Sequence, residues 1–424
     1  MDIRSAVELA HDVQLGLGSL DVPDFDRMRT MGMASTLAMH IRGLGEIPFE
    51  VMRKVSDHYF DIPSFALREV IEILEEIGFV QVSRKGKSID SIIPDVPRFQ
   101  DVHEGIGQYF TFSELNEHEQ GTLTILSELQ KKPENRDRLT HSTGIPIPLL
   151  NRCVEIGQTG NYMKQFRARG KDILTSPFYF ADNLQSLADI TAKVGADDIA
   201  KVLDIVKNNQ GWPLSILEKR LQVGGVTLTT AQKELLLTMC QEGILKPPSI
   251  DFKTKRESFI FTPAPGGKRL DASNREIYER AMALVSCVRK GQLLAEEYKI
   301  HRPVALLSAL RDRGYLGANS EARMQYSNLV FLKVGVLKST GHGRFQFHLI
   351  KNEENKKALD LALGLLQSGQ MADLSVNESA RLALSKDEKY IQSIIAAAEL
   401  KKRGKLELDG DTAGQFEQLL LAYE

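Results

Sequence analysis

The sequence predicts a mainly α-helical fold with small antiparallel β-hairpins, and two observations support this prediction. Apolar residues recur at helical spacing along most of the chain, as they do over residues 145–156. Four stretches rich in β-forming residues are each interrupted by a turn, and the turns are centred near Gly86, Gly170, Lys255 and Gly343. The intervals between these turns are 84, 85 and 88 residues. A repeat of this length indicates four small domains rather than a solenoid.

The stretch from 144 to 180 shows the pattern most clearly. Its helical part ends at Gly157 and Gly160, because glycine favours the end of a helix. Residues 162–168 and 173–180 are rich in aromatic and β-forming residues, which suits the two strands of a hairpin. The hairpin carries a basic cluster with no acidic residue before Asp172: Lys164, Arg167, Arg169 and Lys171.

The other three hairpins follow helical segments in the same order. Helices are predicted over residues 64–77, 229–242 and 319–333, and Thr229 with Gln232 forms a capping-box pattern. Residues 99–112 are predicted to be a connector. We predict an N-terminal segment (1–23), four modules (24–98, 113–182, 183–265 and 271–350) and a C-terminal helical tail (351–424).

The tail carries more apolar side chains than an isolated helix can leave in water. Leu359, Leu363 and Leu366 recur at helical spacing in its first part. We therefore predict that the tail packs on the fourth module, or that it forms an interface with a protein partner or with a second copy of the chain.

Composition limits the classes of function. The chain has 424 residues and a formal net charge of −2, whereas a dedicated nucleic-acid-binding domain is often strongly basic. Attraction to phosphates would therefore come from local patches. Cys153, Cys240 and Cys287 are too far apart for a disulfide framework or a zinc site, which favours a reducing compartment. The chain starts without a signal-peptide pattern and has no apolar run of about 18 residues, so we expect a cytoplasmic protein without membrane contact.

Sequence patterns of common catalytic sites are absent. Gly266-Gly267-Lys268 lacks the flanking residues of a phosphate-binding loop, and His118-Glu119 is not followed by the second histidine of a zinc-protease helix. The nine histidines are scattered along the chain. We expect a protein that is not an enzyme and that uses neither a metal nor a cofactor.

The helix–glycine–strand joints at 77–80 and 242–245, together with the four hairpins, resemble the winged helix-turn-helix superfamily over residues 24–350. This resemblance implies tandem winged-helix modules, most often with DNA as the partner. A winged helix lays its third helix in the major groove and its hairpin, the wing, along the backbone or minor groove. The superfamily also includes tandem scaffolds that hold proteins, such as endosomal sorting subunits and the accessory subunits of bacterial condensins.

Basic wings and one recognition helix supply the candidate contacts to double-stranded DNA. Basic side chains suit phosphate oxygens, whereas Arg, Asn and Gln also pair with base edges. The candidate DNA-binding residues are Lys164, Arg167, Arg169, Lys171, Lys253, Lys255, Arg256, Lys338 and Arg344 on the hairpins, with Arg323, Gln325 and Asn328 on the predicted recognition helix (319–333) of the fourth module. Changing all four basic residues of the second hairpin to Glu is predicted to flatten the slope of log affinity against log salt by roughly two to four units.

Two functions follow from these patterns. The first is DNA binding in transcription regulation or genome maintenance. The second is an interaction scaffold, which the acidic helix of the first module favours, since Glu69, Glu72, Glu75 and Glu76 would be repelled by phosphates. Salt-dependent binding to duplex DNA would separate the two.

Overall fold

The computed structural model describes residues 2–403 except 98, 111–114, 181–182, 246–248, 253–254, 264–271, 293, 295 and 369–375. Helices dominate this part of the chain, and all of its strand pairs are antiparallel. The predicted mainly helical fold with small antiparallel hairpins is therefore confirmed. None of the described helices has the length and apolarity needed to cross a membrane.

The first part of the chain contains one hairpin, called hairpin 1. Its elements are α1 (Ile3–Leu17), α2 (Asp26–Ile41), β1 (Ile47–Pro48), α3 (Phe49–Phe60), α4 (Ser64–Glu76), β2 (Val80–Lys85) and β3 (Ser88–Pro94). Strands β2 and β3 form hairpin 1, and the two-residue β1 pairs with the outer side of β3. The apolar face of α4 is buried on this small sheet and on α3, which fixes its carboxylates on the opposite, exposed face.

The second and third hairpins are built in the same order. The segment that contains hairpin 2 (β5–β6) has the elements α5 (Phe99–Tyr109), α6 (Glu117–Leu129), β4 (Glu134–Asn135), α7 (Arg136–Thr143), α8 (Ile147–Thr159), β5 (Lys164–Ala168) and β6 (Lys171–Thr175). The segment that contains hairpin 3 (β10–β11) has the elements α9 (Leu184–Val194), α10 (Ala196–Lys207), β7 (Trp212–Pro213), α11 (Leu214–Lys219), β8 (Gln222–Val223), β9 (Val226–Thr227), α12 (Thr230–Gln241), β10 (Ser249–Phe252) and β11 (Lys255–Ile260). In each, a two-residue strand pairs with the second strand of the hairpin. The predicted capping box of Thr229 and Gln232 is confirmed.

The fourth hairpin, hairpin 4 (β12–β13), precedes the last helices. The elements are α13 (Ala272–Gly291), α14 (Pro303–Arg313), α15 (Ala322–Gln325), α16 (Ser327–Phe331), β12 (Gly335–Gly341), β13 (Arg344–Leu349), α17 (Glu353–Ser368), α18 (Glu378–Leu384) and α19 (Glu388–Arg403). The turn of hairpin 4 places His342 and Gly343 at φ values of +50° and +72°. Positive φ at both turn positions matches the twist of a two-residue hairpin, and glycine adopts it without strain.

The prediction of one helix over residues 319–333 is wrong. Asn319 instead pairs with Phe345 of β13, and the two residues exchange backbone hydrogen bonds of 3.0 and 3.1 Å. The following helices α15 and α16 are four and five residues long and are separated at Tyr326. The Tyr326 ring is buried against Phe347, with 5.2 Å between ring centroids. The predicted helix is interrupted because Asn319 is paired with β13 and the Tyr326 ring is buried against Phe347.

The chain forms two compact units. The smaller unit contains residues 33–97 and the described residues from 377 onward. The larger unit contains the described residues up to 32 and from 99 to 376. The segment predicted as one tail therefore contributes α17 to the larger unit and α18 and α19 to the smaller one.

The tail helices pack on different partners. Leu359 and Leu363 of α17 are buried in one apolar core with α13 and α14, and Leu366 packs at its edge. Of the two alternatives predicted for the tail, α17 thus shows packing on residues of the segment 271–350, and the interface alternative stays a prediction. Within the smaller unit, α18 and α19 pack on α3, and the Asn377 amide donates to His40 Nε2 at 2.8 Å.

Candidate nucleic-acid interface

Two basic residues of hairpin 1 are paired with acidic residues of the smaller unit. The Arg84 guanidinium donates to both carboxylate oxygens of Glu75, one of them at 2.7 Å, and lowers the pKa of that carboxyl. Lys85 Nζ lies 2.8 Å from Asp90. An adjacent opposite charge weakens the field that a phosphate would meet. The acidic helix α4 thus neutralises part of the hairpin beside it.

Hairpin 2 carries the basic cluster that the sequence singled out, but three of its four cations have partners. Arg167 donates to Asp172 at 2.9 Å. Arg169 forms a bidentate pair with Asp189, at 2.9 and 3.0 Å, and lowers the pKa of that carboxyl. Lys171 Nζ donates to the backbone carbonyl of Ala192 at 3.0 Å. Although no acid precedes Asp172 in this stretch of sequence, the folded hairpin has two acids beside its cations, Asp172 and Asp189.

Helix α9 brings Asp189 to hairpin 2. Ala188 and Ala192 of α9 pack against Ile173, with Phe166 and Ala168 at the edge of the same cluster. This contact covers one face of the hairpin and sets Asp189 beside the turn. Lys164, at the start of β5, is exposed, and no ion pair involves it within the described residues.

The helix before hairpin 2 is also engaged by other parts of the larger unit. Asn151 of α8 accepts a hydrogen bond from Arg136. Arg152 of α8 contacts Asp24, with 2.8 Å between its Nη2 and Oδ2. An approaching duplex would have to displace Asp24 to reach Arg152.

Close to its turn, the structure describes only the backbone of hairpin 3. Asp251 pairs with Arg256 and Phe252 with Lys255 in the register of β10 and β11. Lys253 and the side chains of Lys255 and Arg256 lie outside the described residues, so their predicted contacts stay predictions.

Hairpin 4 differs from hairpins 1 and 2 in its charges. No acidic residue occurs between Glu321 and Glu353, and this segment contains all of β12 and β13. Lys338 and Arg344 are exposed on the hairpin. Neither is in an ion pair with any residue that the structure describes. The hairpin surface is therefore positive without local compensation.

The three candidate residues of the helix predicted over 319–333 have different surroundings. Arg323 is exposed, and its guanidinium carbon lies 5.7 Å from the centre of the Phe345 ring. Asn328 is half-buried. Gln325 is buried and donates to the Cys287 carbonyl at 3.3 Å, so the prediction that it meets a base edge is wrong for this structure. Arg323 adds a cation near hairpin 4, whereas Gln325 supports the core.

Two aromatic residues, neither of them among the candidates chosen from the sequence, lie on or beside hairpin 4. Tyr315 pairs with His348 of β13, and their ring centroids are 5.8 Å apart with 32° between the planes. Partial burial and the nearby Lys338 lower the pKa of His348. The alternation of Phe345 and Phe347 with Gln346 and His348 in the sequence predicts that His348 faces away from the core. Its contact with Tyr315 depends on a strand pairing that has no local signal.

The described cysteines offer no reactive thiolate. Burial raises the pKa of Cys240 and of Cys287 to about 12, so both stay protonated at neutral pH.

Comparison of the chain with protein-family models, with curated proteins and with solved structures gives no match. The arrangement of charged and aromatic side chains is therefore the basis for a function.

Proposed function

We propose that the chain is a DNA-binding protein built from tandem winged-helix modules, and that it contacts duplex DNA mainly through hairpin 4. The repeated order of helix, short edge strand, two helices and hairpin supports the winged-helix part of this proposal. In each case the edge strand, or the bridge at Tyr315 and Asn319, pairs with the second strand of the hairpin.

The observation that carries the DNA-binding part is the uncompensated positive charge of hairpin 4. Arg323, Lys338 and Arg344 are exposed, and no acidic residue is paired with them in the described part of the chain. A phosphate at this surface does not have to compete with a carboxylate of the protein, as it would at Arg84 or Arg169. Lys and Arg gain affinity for DNA by releasing counterions, which requires charge rather than a fixed geometry.

A scaffold function is the second candidate, and helix α4 favours it for the smaller unit. Its exposed face carries Phe65, Glu69, Glu72 and Glu76 at helical spacing, and the Phe65 side chain is 84% exposed. Carboxylates on this face repel phosphates, whereas an exposed aromatic ring is a common anchor of protein interfaces. On this proposal the smaller unit holds a protein while hairpin 4 holds DNA.

Equilibrium titration of a labelled duplex at low salt tests the proposal. The double variant Lys338→Glu and Arg344→Glu reverses two charges on hairpin 4, and we expect it to weaken duplex binding strongly. The matched control, Lys85→Glu and Lys87→Glu, reverses two charges at the tip of hairpin 1 and should weaken binding less. Equal losses in the two variants would show that only net charge matters. If the unmodified protein binds no duplex at low salt, the scaffold candidate remains.

A further inference from the structure

The outer face of hairpin 4 combines an aromatic row with cations, and this inference about it rests on the proposed function. Val336 of β12 and His348 of β13 lie side by side, and Tyr315 is bridged to His348 on the other side of β13. Tyr315 is 44% exposed and Val336 41% exposed. Leu337 and Phe345, which point the other way, pack against the apolar core. The aromatic row therefore stays on the solvent side.

The backbone fixes the two rings of this row next to each other. The Leu316 amide donates to the Phe347 carbonyl at 2.9 Å, and the Leu349 amide donates to the Gly314 carbonyl at 2.8 Å. Tyr315 and His348 are thus a non-hydrogen-bonded antiparallel pair, the arrangement that brings opposite side chains closest. The ring planes of Tyr315 and His348 are tilted by 32° from each other, so the two adjacent rings form one slightly bent aromatic surface.

Cations and a polar amide occupy the positions next to the aromatic row on the same face. Lys338 pairs with Gln346 in the next row of the sheet, and Arg344 lies closer to the turn. Successive residues on one face of a strand are about 7 Å apart, so a chain lying along the hairpin meets rings first and cations next. Gln346 Oε1 accepts a hydrogen bond from His348 Nε2 at 2.9 Å, which holds the imidazole in place.

We infer that this face binds unpaired nucleotides, with a base stacked on Tyr315 and His348 and the phosphates held by Lys338 and Arg344. Bases inside a duplex stack on one another and present only their edges, so an aromatic surface takes a base only where the strand is unpaired. An exposed tyrosine alone would not indicate a site. Here the tyrosine shares one surface with a second ring and with two cations that have no ion-pair partner among the described residues. The chemistry is common to single-stranded DNA and RNA.

Fluorescence anisotropy with labelled oligothymidylate, oligouridylate, a fully abasic strand and a duplex tests this inference on the full chain. The variant Tyr315→Ala should weaken binding of the two base-containing strands by about 5- to 150-fold, the range for one lost stacking contact. It should leave the abasic strand and the duplex unchanged. Tyr315→Phe should keep wild-type affinity, because stacking needs the ring and not the hydroxyl.

Tyr59→Ala is the matched control, since Tyr59 also lies beside a histidine, with 4.8 Å between its ring and that of His58. It should have no effect on any strand. A light-induced crosslink from an iodouracil strand to wild-type protein gives a readout that does not depend on a variant folding, and the adduct should lie on the peptide that contains Tyr315 or His348.

Unchanged affinity of Tyr315→Ala for the base-containing strands, or a crosslink elsewhere in the chain, would overturn the inference. Equal wild-type affinity for the abasic and the base-containing strands would do the same. In these cases the duplex proposal stands if the hairpin 4 charge reversal still weakens duplex binding. Absence of binding to every strand at low salt would overturn both.

Discussion

At the scale of single residues, the partner of a basic side chain decides whether it attracts a phosphate. The sequence correctly indicates that Arg167, Arg169 and Lys171 lie together on a hairpin. It does not reveal that Asp189 reaches Arg169, because that contact is made by the packing of α9 on hairpin 2. The acid-free segment around Lys338 and Arg344 is visible in the sequence, whereas the structure is needed to show that neither forms an ion pair with a described residue.

Removing one carboxylate should make hairpin 2 more attractive to DNA. The variant Asp189→Asn leaves Arg169 without its anionic partner, so one more cation is available to a phosphate. We expect tighter duplex binding at low salt, and a slope of log affinity against log salt that steepens by up to about 0.9. Asp198→Asn is the control, since it removes the same charge from an exposed pair with Lys201 on α10. Equal effects of the two variants would mean that the Arg169 contact is irrelevant to binding.

At the scale of elements, the helices and hairpins were predictable, and the short strands were not. Helical periodicity and turn residues are local signals, and they located hairpins 1 to 4 but not the two-residue strand pair β8–β9. The two-residue strands β1, β4 and β7 are too short to show alternation and form only because a hairpin strand lies beside them. The same non-local pairing at Asn319 shortens the helix predicted there. Residues 99–109, predicted as a connector, form α5, which packs on α1.

An ion-pair cluster around the largely buried Lys132 and Glu134 connects the start of β4 to α10 in the larger unit. Lys132 Nζ, only 12% exposed, lies 2.9 Å from Glu134 and 2.6 Å from Asp197 of α10. Lys132→Met leaves the Glu134 carboxylate buried without its cation, so we expect the free energy of unfolding to fall by about 3 kcal/mol. The neighbouring Lys131→Met removes an exposed pair with Glu128 and should change it by no more than about 0.5 kcal/mol. Urea unfolding of both variants measures the difference, and equal losses would contradict the role of the cluster.

The pH dependence of the same cluster provides a second check on Lys132. Hydrogen bonds from Lys132 and then Arg138 lower the pKa of Asp197 to about 2. Because this pKa is lower in the folded protein, the stabilisation is complete above about pH 4 and is lost as the pH falls towards 2. In Lys132→Met this loss on acidification should be smaller than in the unmodified protein.

At the scale of the whole molecule, the net charge of −2 conceals an uneven distribution of charge. Carboxylates on α4 and near hairpin 2 compensate the cations there, and hairpin 4 is left positive. The sequence singled out the basic cluster of hairpin 2 among candidate phosphate contacts on hairpins 2, 3 and 4, since charge along the chain was its only guide. The ion pairs formed on folding favour hairpin 4 instead. The central claim is therefore that hairpin 4 supplies most of the electrostatic attraction to DNA.

The salt dependence of duplex affinity tests this claim most directly. Four exposed cations on or near hairpin 4, namely Arg323, Lys338, Arg344 and Lys333 just before β12, predict a slope of log affinity against log salt of roughly −3 to −4. Reversing the charges of Lys338 and Arg344 should flatten this slope by about two units, whereas reversing those of Arg167 and Arg169 should flatten it by less than one. A slope that depends on the hairpin 2 variant and is unchanged in the hairpin 4 variant would contradict the claim.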